Sequence, residues 1–116
     1  MKFNEIINED QFLWEMANLT KRLTGLPMNI YVSSKDSVKD RHGPRIKAMS
    51  EHGNKFIREL LSSVSISSTP MDYHNKLNNK DLKLVQEWIL LNKKALLSFW
   101  NNKLDIGELI NILEKN

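Results

Sequence analysis

A chain of 116 residues, 41% hydrophobic and 27% charged, has the size and make-up of one globular domain, and residues 1–116 read as a single unit. It contains no cysteine, which excludes disulfide staples, thiolate zinc sites and a cysteine nucleophile. The net charge of +3 is unevenly spread: residues 35–58 carry seven basic and three acidic groups, whereas residues 1–34 net −1 and the remainder balances.

The opening run, MKFNEIINEDQF, carries acids and asparagines where a signal peptide needs a continuous apolar stretch. No run approaches the roughly 20 apolar residues of a membrane span. The expected setting is therefore the cytoplasm, with no membrane association. Asn8 is a fitting N-cap, with Gln11 three residues on and Ile7 and Phe12 placed as a hydrophobic staple. Phe12, Leu13, Met16, Ala17, Thr20 and Leu23 recur at helical spacing, which predicts a helix over 8–24 that Gly25 and Pro27 end.

Residues 28–32 (MNIYV) alternate and favour β-structure, so a first strand is expected there. The polar run SSKDSVKDRHG reads as a loop. Arg45–Met49 alternates again and predicts a second strand, with Ile46 and Ala48 on one face and Arg45, Lys47 and Met49 on the other. Glu51–Asn54 reads as a hairpin turn, residues 55–61 fit either helix or strand, and a third strand is expected near 62–67. The serines of that strand, Ser62, Ser63, Ser65, Ser67 and Ser68, read as the polar side of a sheet edge.

Residues 70–77 read as a connection. A long helix is then predicted from Lys80 to about Asn101, with Asn78 as N-cap and Asp81 near the positive end of its dipole. Leu82, Leu84, Val85, Trp88, Ile89, Leu91, Ala95, Leu96, Phe99 and Trp100 cover more than half its circumference. Such a helix must be buried on several sides, by the sheet, by flanking helices or by a second subunit. In the last case Trp88, Leu91, Phe99 and Trp100 are the candidate interface residues of a homodimer. Asp105 and Glu108 have the spacing of a capping box, and Ile106, Leu109, Ile110 and Leu113 form the stripe of a last short helix. The fold class is α+β: a small antiparallel sheet of three or four strands on a long helix, with N- and C-terminal helices flanking.

The three histidines, His42, His52 and His74, lack metal-ligand spacing, and the four glycines form no phosphate-binding loop. No metal or cofactor is expected. The clustered positive charge points to an anionic partner, through Lys39, Arg41, His42, Arg45, Lys47, Lys55 and Arg58. An alternative use of that face is metal-independent ribonuclease chemistry by Arg41, His42, Arg45, His52 and Tyr31. There a histidine would take the 2′-hydroxyl proton or an arginine would stabilise the phosphorane charge.

Two segments together carry a resemblance. Ile30-Tyr31 is followed by Asp40-Arg41-His42-Gly43-Pro44-Arg45-Ile46-Lys47-Ala48, and Asp81-Leu82-Lys83-Leu84-Val85-Gln86-Glu87-Trp88 by Asn92, Ala95-Leu96-Leu97 and Trp100. Over roughly residues 28–101 the chain resembles a small bacterial family of unknown function. That family has a strand, a D-H-x-P-P-H-F-H-like segment and a helix of the form L-x-x-V-x-E-W…L-x-x-x-W. Where the family has P-P-H-F-H, this chain has Gly43-Pro44-Arg45-Ile46-Lys47, so basic residues replace two histidines. The resemblance implies an α+β fold and a setting among bacterial defence and toxin–antitoxin loci. The expectation from these readings is a non-catalytic, homodimeric accessory of a nucleic-acid-acting complex, such as an RNA-guided nuclease complex or a toxin–antitoxin pair. Its basic face would meet a protein partner or an RNA or DNA backbone.

Overall fold

The computed structural model describes residues 16–35, 43–53 and 55–116. Four short runs form the strands: β1 (Ala17–Leu19), β2 (Ile30–Val32), β3 (Arg45–Met49) and β4 (Leu61–Ser65). Among the described residues three α-helices accompany them: α1 (Lys21–Thr24), α2 (Asn79–Trp100) and α3 (Ile106–Ile112). The chain is α+β, and its sheet is an antiparallel meander in the order β1-β2-β3-β4.

Register sorts the side chains, because alternate residues on a strand point to opposite faces. Ile30 pairs with Ala48, Val32 with Ile46, and Ile46 with Val64. These define an apolar face, on which Leu19, Ile30, Ile46, Ala48 and Val64 are fully buried. Tyr31 pairs with Lys47, Lys47 with Ser63 and Arg45 with Ser65, which defines the opposite, basic face. Phe56 meets the ring of Tyr31 edge-on, with centroids 5.3 Å apart, and so covers one end of that face.

Helix α2 opens where Asn78 caps it, its side chain accepting from the Asp81 N–H at 2.7 Å. Asp81, Val85, Trp88, Ile89, Asn92, Leu96 and Trp100 are its buried residues, a stripe spaced by threes and fours. Val85, Trp88, Ile89 and Leu96 join the strand residues in one core cluster. Each large side chain buried there stabilises the fold by about 1.5–3 kcal/mol. A second side of α2 is covered by the C-terminal segment. Leu109 of α3 enters the same core, and Asn92 clasps the tail, donating to the Glu114 carbonyl at 2.9 Å and accepting from its N–H at 2.8 Å. The capping box that opens α3 forms in both directions between Asp105 and Glu108.

Three expectations need correction. Residues 17–19 form a strand, not helix: Ala17 and Leu19 pair with Val32 and Ile30, and among the described residues of the expected helix only Lys21–Thr24 is helical. Residues 8–15 of the expected helix lie outside the described residues. The turn expected at 51–54 is a longer connection, closed by Ser50 donating to the Leu60 carbonyl and by a 3-10 turn at Arg58–Leu60. The β4 serines are buried, with Ser62, Ser63 and Ser65 at 0%, 7% and 7% exposure. The reason lies in residues 71–73, which run antiparallel along β4. The Ser65 N–H donates to the Met71 carbonyl and the Tyr73 N–H to the Ser63 carbonyl.

Candidate anion-binding cleft

Asp72 fixes the chain beyond β4. Its buried carboxylate accepts from the Ser62 hydroxyl, from the His74 N–H at 3.2 Å and from the Leu77 N–H at 3.1 Å. These bonds fix the turn that follows, in which Leu77 joins the core while His74 and Lys76 stay exposed beside the basic face. By alternation Tyr73, next to Asp72 and hydrogen-bonded to Ser63, falls on the same face as Lys47. The result is a cleft of about 220 Å³ lined by Lys47, Arg58, Leu61, Ser63, His74 and Lys76.

Its parts have distinct sources. Lys47 from β3 and Leu61 and Ser63 from β4 form the floor, Arg58 from the 3-10 turn forms one wall, and His74 and Lys76 form the other. The two walls are joined, because the Lys76 ammonium donates to the Glu59 carbonyl at 2.7 Å. That bond uses one of three ammonium N–H donors. Among the described residues no carboxylate lines the cleft.

The electrostatics follow from this crowding. Burial, and then the charges of Arg45 and Arg58, hold the Lys47 ammonium below the ordinary lysine range. Burial likewise lowers the Arg45 guanidinium, against an opposing pull from Tyr73. The Arg45 guanidinium lies 5.8 Å from the ring centroid of Trp100 and donates to the Gly43 carbonyl at 3.2 Å. Burial raises the Tyr31 phenol, while a hydrogen bond with Asn29 partly offsets the rise.

Of the residues expected from sequence to bind an anion, Lys47 and Arg58 line the cleft, and Arg45 lies outside its lining but near enough to lower the Lys47 pKa. Lys55 is exposed on the connection before the 3-10 turn, and Lys39, Arg41 and His42 lie outside the described residues. The ribonuclease set is not gathered in one place among the described residues. His52, through Nε2, is 2.7 Å from the buried Asp81 carboxylate at the start of α2, and Tyr31 is 6% exposed under Phe56. Of the residues assigned to a dimer interface, Trp88 and Trp100 are buried within the chain at 0% and 7% exposure. Phe99 is half-buried, whereas Leu91 is exposed beside Leu90. The Trp88 indole N–H has no hydrogen-bond partner among the described residues.

Ser63, Tyr73, His74 and Lys76 escaped the reading of the sequence. The 70–77 stretch shows no periodicity, and only the non-local pairing of residues 71–73 with β4 brings His74 and Lys76 beside the basic face. One signal was present: Asp72 precedes two turn-forming positions and could be seen as an acceptor for nearby backbone N–H groups.

Among the described residues no helix is long and apolar enough to cross a membrane, and no three acidic or histidine side chains are grouped to hold a metal. In comparisons with known proteins, no family model, no curated protein and no solved structure matches the chain.

Proposed function

We propose that this chain is a non-catalytic binding module that engages the phosphate groups of a nucleic acid through the basic face of its sheet, in the nucleic-acid-associated setting that the family resemblance implies. The observation that carries the reading is the cleft itself. Lys47, Arg58, His74 and Lys76 converge from three chain segments around one polar pocket whose floor offers a serine hydroxyl. Burial, and then the nearby charges of Arg45 and Arg58, lower the Lys47 pKa. An anion entering the cleft would meet the basic side chains around it. Tyr73, 39% exposed beside Ser63, adds an aromatic surface of the kind on which bases stack.

The test is binding of a labelled single-stranded RNA across a salt series. Neutralising about three phosphates gives a slope near −2 in log affinity against log salt. Affinity should then fall roughly tenfold or more between about 50 and about 200 mM salt. Arg58→Glu should weaken binding further at every salt concentration. Salt-indifferent binding, or capture of an acidic protein with no measurable affinity for RNA or DNA, would remove this reading.

A further inference from the structure

We propose that the groove between α2 and the C-terminal segment is the face through which two copies of this chain pair as a symmetric dimer. The proposal is independent of the anion-binding reading, because the groove and the basic cleft share no lining residue.

The groove has a volume of about 320 Å³ and two walls. Leu91, Lys94, Ala95 and Ser98 are spaced i, i+3, i+4 and i+7, so they form one strip of α2. Ile112, the last residue of α3, and Glu114 form the facing wall. The Asn92 side chain holds the Glu114 backbone by bonds of 2.8 and 2.9 Å, so that wall has a fixed place against α2. Leu91 and Ile112 are each about half exposed, as is Leu90 beside Leu91. Single exposed apolar side chains are ordinary, but a group of them around a groove marks a contact surface.

What identifies the occupant is the match between the two walls. Each presents one exposed apolar residue and one exposed charge, and the charges have opposite sign: Leu91 and Lys94 on α2, Ile112 and Glu114 across the groove. Among the described residues no ion pair joins Lys94 to Glu114 within the chain. A two-fold axis running along the groove would lay the α2 wall of one copy over the C-terminal wall of the other. Leu91 would then meet Ile112 of the partner subunit, and Lys94 would meet Glu114 of the partner subunit. Symmetry makes each pairing occur twice. The face is thus complementary to itself in both apolar character and charge.

The experiment is sedimentation velocity of the full chain from about 1 to about 300 μM, a range that covers a micromolar interface. The mass should rise from the 13.6 kDa of one chain toward twice that value. Leu91→Asp should hold the chain as a monomer throughout. Lys94→Glu alone and Glu114→Lys alone should each weaken pairing about tenfold, since each sets like charges together twice per dimer. Mixed in equal amounts, these two variants should pair with each other again, because both charge contacts are then attractive. Misfolding of either variant cannot imitate that recovery.

The mass of one chain at every concentration would overturn the proposal. If a hydrophobic dye then bound the native chain but not Leu91→Asp, the groove would belong to a small ligand instead. A dimer that persists unchanged in Leu91→Asp, or a mixture that associates no better than either charge variant alone, would overturn it as well.

Discussion

The two faces of strand β3 carry opposite chemistry. In β3, Ile46 and Ala48 are fully buried in the core, while Lys47 between them lines a polar cleft on the opposite face, which Arg45 shares. A period of two lets five residues serve stability on one side and charge presentation on the other. The apolar face is satisfied within the chain, by residues of α2 gathered in the same cluster. The basic face gathers Lys47, Arg58, His74 and Lys76 around a polar cleft, where burial and then the charges of Arg45 and Arg58 lower the Lys47 pKa. Stability and binding should therefore respond to different substitutions, and four changes put that separation to the test.

The largest effect should come from Trp88→Ala. The side chain is fully buried at the centre of α2, so its removal should cost about 3–5 kcal/mol, a large part of the stability of a domain this size. Urea unfolding followed by far-ultraviolet circular dichroism would measure it. A loss below about 1 kcal/mol would mean that the apolar cluster does not hold the fold as described.

Asn92→Ala should come next, at about 1–3 kcal/mol. It strips the Glu114 N–H and carbonyl of their partners in one step, and hydrogen exchange at Glu114 and Leu113 should accelerate. Gly25→Ala should cost roughly 1–2 kcal/mol for two reasons that act together. Gly25 has φ +77°, which an L side chain resists, and an added Cβ would lie 2.9 Å from the Asn116 carbonyl oxygen. Both changes loosen the tail while leaving the cleft residues in place, so salt-dependent RNA binding should persist below the unfolding midpoint.

Lys47→Met should have the smallest effect on stability, and in the opposite direction. Burial and like-charged neighbours lower the Lys47 pKa in the folded chain, so the unfolded chain holds that proton more tightly. The charged ammonium therefore weighs against folding below its lowered pKa. That cost lifts as pH rises from there toward the ordinary lysine value of about 10.4. Relative to the variant, the native chain should gain stability across that alkaline window. At neutral pH the variant should be as stable as the native chain or slightly more so, yet bind RNA more weakly. Comparing the two by urea unfolding at neutral and alkaline pH cancels the opposing titration of Tyr31, which both share.

How much of this was legible in the sequence depends on how local each signal is. The β3 strand falls at the residues its alternation indicates, and α2 spans Asn79–Trp100 behind the Asn78 cap. The α3 capping box is readable from Asp105 and Glu108 alone. All of these rest on residues within a few positions of one another. The β1 strand was misread because Met16, Ala17, Thr20 and Leu23 satisfy a helical spacing, while Ala17 and Leu19 equally satisfy a strand. Pairing with β2 decides between them. For the cleft, the β3 and 3-10 contributions lay inside the charge cluster visible in the sequence. His74 and Lys76 did not, because they reach it only through the pairing of residues 71–73 with β4 and the bonds to Asp72. Half of a site built across a sheet edge was thus visible before the sheet was known.

The most direct test of the separation between the two faces is a nuclear magnetic resonance titration. Backbone and side-chain shifts of the full chain would be followed as a 5′-phosphorylated single-stranded RNA is added. The account expects perturbations centred on Lys47, Arg58, Ser63, Tyr73, His74 and Lys76, with Leu90, Leu91 and Ile112 on the outer helical surface unmoved. Perturbations centred on that helical surface, with the cleft silent, would contradict it.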